Sequence, residues 1–191
     1  MKSISSFLLV FTIALEGLSQ GVFTNDVNSA LQKVIQDYPN GFANIKGAQV
    51  NANSHSVQYR STVKVPGSLN CLLTQHSASR KEIYSWKCVM LESEQFEEAK
   101  DKFAELYNQI KNTIVKIEGE KPFILNGKYE VPCSEKKITA VIFQLLPATG
   151  EMQKLKVELT LQHYMNDWKV MLTVYDQDRR NDEQPELTDR W

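Results

Sequence analysis

The chain has 191 residues, 42% of them hydrophobic and 24% charged, a composition that suits one ordinary globular domain and excludes collagen, coiled coil and wholesale disorder. Its 22 Lys and Arg meet 23 Asp and Glu for a formal net charge of -1. That balance lacks the basic footprint a phosphate backbone requires, so no nucleic-acid partner is expected.

At the N-terminus Lys2 precedes an apolar run from Phe7 to Leu15, and a more polar stretch with small residues follows from Glu16 to Gln20. That order reads as a secretory signal peptide over residues 1–20. The apolar run is about half of the ~18–20 residues that a bilayer-crossing helix needs, so a retained membrane helix is the weaker reading. Cleavage after Ser19 would put Gly17 and Ser19 at the small-residue positions, and cleavage after Gln20 is the alternative. No Cys follows the run to carry a lipid. The expected product is secreted or periplasmic, with no transmembrane segment after cleavage. The Ser19-Gln20 ending resembles that of secreted proteins of Bacteroidota with unassigned activities. The likeness covers about twenty residues and implies a compartment, not an activity.

Beyond the leader, Val27, Ala30, Leu31, Val34 and Tyr38 recur at three- and four-residue steps, the stripe of a helix with one buried side. Thr24, Asn25 and Asp26 offer N-caps, and Pro39-Asn40-Gly41 ends the pattern. From Ala48 to Met90 the period becomes two, with turns expected at Asn53-Ser54-His55, Pro66-Gly67 and Ser77 to Lys81. A second helical stripe follows: Phe96, Ala99, Phe103, Leu106, Tyr107, Ile110 and Ile114. Ser93 is its expected N-cap, Glu94, Glu97 and Glu98 complement the helix dipole, and Glu98 is expected to pair with Lys102. Asn126-Gly127 marks a turn before three long strands, Ile138 to Leu145, Gln153 to Gln162 and Trp168 to Tyr175. Residues 177–191 are almost without apolar side chains and read as a polar mobile tail.

Short cues recur at a fixed offset. Phe42 stands 24 residues before Pro66, as Phe123 does before Pro147, and Trp86-Lys87 answers Trp168-Lys169. Gly47 answers Gly127 within one residue. The implied period is about 81 residues, suiting two fused copies of an α-β-β-β unit. The halves fall at about 24–92 and 93–176 of a single α+β domain over 21–176, a mainly antiparallel twisted sheet with two amphipathic helices. A helix followed by strands is also similar to compact protein-binding folds such as secretion chaperones, an analogy of fold alone.

The three Cys are Cys71, Cys88 and Cys133. Centring a hairpin within Ala78 to Lys81 sets Cys71 opposite Cys88, Leu73 opposite Trp86 and Gln75 opposite Tyr84. Directly opposed residues lie ~4.5–5.5 Å apart, within reach of a disulfide, although two buried free thiols fit the same positions. Cys133 has no evident partner and reads as an idle thiol or a bridge between chains. His55, His76 and His163 fall at hairpin ends without metal-ligand spacing, so no metal site is expected. The phosphate loop, dinucleotide fingerprint, nucleophile elbow and zinc-protease motifs are all missing from the sequence, and neither a catalytic residue nor a cofactor is assigned.

One strand has two apolar faces. If both helices cover one side of the sheet, Val141, Phe143, Leu145, Met171 and Tyr175 would form an apolar binding face on the other. The competing reading is a central strand buried on both sides, the second beneath Phe123 to Val131. The resulting expectation is an exported, non-enzymatic binding module that uses a sheet face or edge to hold a protein partner or an apolar ligand. A small secreted hydrolase with a loop active site and an envelope structural or assembly subunit are the rivals.

Overall fold

The computed structural model describes residues 26–77 and 82–177. The expected leader, the caps Thr24 and Asn25, the turn residues Ala78 to Lys81 and the tail from 178 onward lie outside the described residues.

Helix α1 spans Asp26–Asp37 and buries Val27, Ala30, Leu31, Val34 and Ile35, the stripe read from the sequence. It tightens into a 3-10 turn, Tyr38–Asn40, and stops where Gly41 takes a left-handed φ of 61°. The buried carboxylate of Asp37 fixes the exit. It accepts from the main-chain N–H of Asn44 (2.9 Å) and Ile45 (3.1 Å) and from the carboxamides of Asn40 (3.2 Å) and Asn44 (2.6 Å). One side chain thereby ties the helix end to the chain entering the sheet.

Four strands follow, β1 Lys46–Ala52, β2 Ser56–Ser61, β3 Asn70–Ser77 and β4 Glu82–Ser93. After helix α2, Phe96–Ile110, come β5 Ile114–Val115, β6 Phe123–Asn126, β7 Ile138–Leu146, β8 Leu155–Tyr164 and β9 Asp167–Asp176. The nine strands of the described residues form one antiparallel sheet in the order β1-β2-β3-β4-β9-β8-β7-β6-β5. The α+β class is therefore as the sequence predicts.

Three details of α2 differ from expectation. The helix ends at Ile110, not Ile114, because Asn112 adopts a positive φ of 63° and turns the chain into β5. Its N-cap is the extended Gln95; Ser93 works from outside, its hydroxyl accepting from Gln95 N–H (3.1 Å) and donating to Glu98 (2.6 Å). Glu98 is thus held by Ser93, and Lys102 pairs with Glu105 at i,i+3 instead. These exposed pairs are worth only a few tenths of a kcal/mol, roughly 0.3–0.5, so the choice between them is easily tipped.

The chain runs twice through a helix and an antiparallel meander, and the last strand of each, β4 and β9, meet at the centre. Each run has four main strands rather than three, with β5 added in the second, so the α-β-β-β unit is too small. Exchanging Trp86 with Trp168 by a twofold rotation would set Trp168 opposite Glu92. It sits opposite Ser93, one residue on, and a bulge between Val89 and Leu91 supplies the offset. Gly47 and Gly127 occupy matching crossings. A Cβ on Gly47 would lie 2.6 Å from the Arg60 carbonyl of β2, and one on Gly127 would lie 2.8 Å from the Phe143 ring of β7. Only glycine lets the chain in β1 and just past β6 come so near the next strand.

Both helices pack on one face of the sheet and enclose the core, which includes Leu31, Ile35, Leu73, Trp86, Phe103, Phe123, Phe143, Leu159 and Leu172. Trp86 is fully buried and needs a partner for its indole N–H, which donates to Ser61 Oγ at 2.9 Å.

Candidate functional site

The hairpin register places Cys71 opposite Cys88, Leu73 opposite Trp86 and Gln75 opposite Tyr84, and the two cysteines form a disulfide. The choice left open between a bridge and two thiols is settled in favour of the bridge. Cys133 is a free, exposed cysteine whose thiol donates to Glu135; that hydrogen bond holds the Glu135 carboxyl below its usual range.

The expected apolar binding face is not a single face. On β7 the buried parity is Thr139, Val141, Phe143 and Leu145, which looks toward the helices; the Phe143 ring lies 5.7 Å from that of Tyr107 on α2. Val141, Phe143 and Leu145 are therefore core residues. Met171 and Tyr175 occupy the opposite parity of β9, facing away from the helices, with Met171 half-buried and Tyr175 buried. The alternative cover also fails, because Tyr129 from the 123–131 stretch packs on Phe103 and Tyr107, on the helix side. An alternating strand with apolar residues at both parities carries no mark of which set turns inward, and that ambiguity caused the exchange.

What lies on the helix-free side, the face that neither described helix covers, is the other parity of β7: Ile138, Ala140, Ile142, Gln144 and Leu146. Toward the β5 edge this side has a distinct apolar row. Leu146 pairs directly with Ile124 on β6, and Ile124 pairs with Ile114 on β5. Opposed residues on neighbouring strands have touching side chains on one face, so the three aliphatic groups form a continuous strip. They are 58%, 44% and 41% exposed at Ile114, Ile124 and Leu146 respectively. Their neighbours Val115, Phe123, Leu125 and Leu145 turn the other way into the core, which anchors the strip.

The chain just past β5 is clamped from α1. The carboxamides of Gln32 and Gln36 both donate to the Lys116 carbonyl, and the Lys116 N–H donates to Gln32 Oε1 at 3.0 Å. Thr113 adds a hydroxyl hydrogen bond to Asn28 Oδ1 at 2.8 Å. The opposite edge, β1, is exposed over Gln49 to Ala52 and breaks register twice against β2, a device that discourages strand addition.

The remaining polar groups are dispersed. His55 is exposed, His76 Nε2 lies 3.3 Å from Ser85 Oγ, and the His163 ring stacks on Trp168 at 4.6 Å. Among the described residues, no three His, Cys, Asp or Glu side chains gather as a metal site would require. Two shallow grooves, of about 340 and 400 Å³, flank the start of α1 and share Asp26 and Pro66. Lys156, on the helix-free side beside Tyr175, is pushed below the ordinary lysine range by burial, and its ammonium donates to the Gln153 carbonyl at 2.7 Å. No helix among the described residues is long and apolar enough to cross a membrane.

Compared with known proteins, the chain matches no family model, no curated protein and no solved structure.

The exposed row Ile114-Ile124-Leu146 escaped the sequence reading because its members are far apart in the chain. The visible signal was the alternation Phe123-Ile124-Leu125-Asn126, which shows that one of each pair must face outward. Joining Ile124 to its neighbours requires the register.

Proposed function

We propose that the mature chain is an exported, non-enzymatic binding module that holds a protein partner against the helix-free side of its sheet, at the β5–β7 edge. The observation that carries this reading is the exposed row of Ile114, Ile124 and Leu146, three large aliphatic side chains in direct register on adjacent strands. Isolated exposed leucines are ordinary on protein surfaces, but a contiguous strip is the mark of a contact surface. Fully burying such a side chain contributes about 1.5–3 kcal/mol, and roughly half of that remains to be gained at each of these positions.

The form of the strip favours a protein over a small apolar ligand. A small ligand requires a concavity that covers most of its surface, whereas this strip lies on an open sheet. Strand addition is also disfavoured here. β5 is only two residues long, and the main-chain groups of Lys116 are already engaged by Gln32 and Gln36. Recognition then rests on side-chain packing against a rigid surface.

The test replaces Ile114 and Ile124 together by Ser in the full chain. Each substitution gives up the half of the side chain's burial already realised in the fold, about 1 kcal/mol apiece, which a domain stable by about 5–15 kcal/mol tolerates, so the fold should persist. Chemical crosslinking in the native extracellular or periplasmic fluid should yield a discrete adduct with the wild type, and the double variant should lose it. Adducts identical in both proteins, or none with the wild type, would reject the reading.

A further inference from the structure

The chain contains two Asn-Gly pairs, Asn40-Gly41 and Asn126-Gly127, and the fold treats them differently. At the first, both reacting groups are held. The Asn40 carboxamide donates to Asp37 Oδ1 at 3.2 Å, and the Gly41 N–H donates to the Tyr38 carbonyl at 2.9 Å. At the second, Asn126 is the last residue of β6, exposed on the helix-free side, and no described hydrogen bond holds its carboxamide.

The ladder also frees the Gly127 nitrogen. Leu125 donates its N–H to the Thr113 carbonyl (3.0 Å) and accepts from Asn112 N–H (3.0 Å), so its polar groups turn toward the β5 side. Alternation in an antiparallel sheet turns the Gly127 N–H the same way, two residues on and past the end of β5. Gly127 has no side chain to hinder approach to this nitrogen.

We propose that Asn126-Gly127 is a site of spontaneous deamidation in the folded protein, and that Asn40-Gly41 is protected. The Gly127 nitrogen attacks Cγ of Asn126 and forms the new N–C bond of a succinimide. The Asn126 amide nitrogen leaves as ammonia, taking up the proton lost from Gly127. Water then opens the ring at either carbonyl, giving aspartate or isoaspartate with no change of oxidation state. Either product adds a carboxylate at the end of β6, and isoaspartate also lengthens the main chain by one methylene. That extra length falls beside two tight contacts, the Tyr107 hydroxyl donating to the Gly127 carbonyl (3.2 Å) and Gly127 against Phe143. The consequence is an acidic isoform with a loosened second meander.

The test is prolonged incubation of the intact, folded protein at mildly alkaline pH, followed by peptide mapping and an isoaspartate assay. Asn126 should convert at least about tenfold faster than Asn40, which reacts only through local opening. In the reduced, urea-unfolded chain the two sites should convert at similar rates, showing that the folded-state difference comes from structure. The variant Asn126→Gln should keep the native circular dichroism spectrum and form no acidic isoform from the 117–128 peptide. An Asn126 that remains an amide in the folded protein, or an Asn40 that converts equally fast there, overturns the proposal.

Discussion

Reducing the Cys71–Cys88 bridge should remove about 3 kcal/mol of stability, as follows from the loop it closes. The two residues are 17 apart in sequence, and the chain-entropy relation for a loop of that size gives ~3 kcal/mol at 25 °C. Both sulfurs lie in the core, so the native state keeps its packing when the bond opens and the effect falls on the unfolded chain. In a Cys133→Ser background, which removes the one other thiol, urea unfolding should be followed with and without reductant. With a urea slope of ~2 kcal/mol/M, the reduced midpoint should fall by about 1.5 M. The slope should rise with reduction, because an uncrosslinked denatured chain exposes more surface. Equal midpoints with and without reductant would refute the loop-closure argument, and so would a fall in the slope.

Gly47→Ala and Gly127→Ala should each destabilise by about 1–3 kcal/mol in thermal melts, because each new methyl meets an atom of the neighbouring strand; a neutral outcome at either position would break the equivalence of the two crossings. Asp37→Ala should cost about 3 kcal/mol in urea unfolding, since it strands the buried N–H of Ile45 and removes the acceptor of the part-buried Asn44 N–H, while an exposed control, Asp101→Ala, should change little. Thr139→Val should be neutral or add up to about 1 kcal/mol by the same measurement, because the buried Thr139 hydroxyl has no hydrogen-bond partner and valine keeps its shape.

Much of the fold could be read from the chain because its signals were local. Cys71, Leu73 and Gln75 found their partners from one assumption about where a hairpin turns, and antiparallel register did the rest. The two helix stripes were legible for the same reason, as each repeats over several turns. The helix end at Ile110 was not, because Ile114 stands four residues further on and continues the period while Asn112 quietly reverses the backbone. The short strands β5 and β6 have too few residues for any period to emerge. The site was least legible. Choosing the wrong parity on β7 put Val141, Phe143 and Leu145 outside when they are core. The apolar strip that does face outward depends on pairings between Ile114, Ile124 and Leu146 that the linear sequence does not reveal.

The joining of β4 to β9 has a consequence for how the molecule comes apart. Two meanders that merely stacked could peel away singly, but these share main-chain hydrogen bonds from Ser85 to Ser93 along their innermost strands. Melting either half leaves the other with a bare hydrophobic seam and unpaired amides, so loss of one is loss of both. A single cut in the link between β4 and α2 would therefore yield fragments that stay married, releasing only when the whole sheet fails.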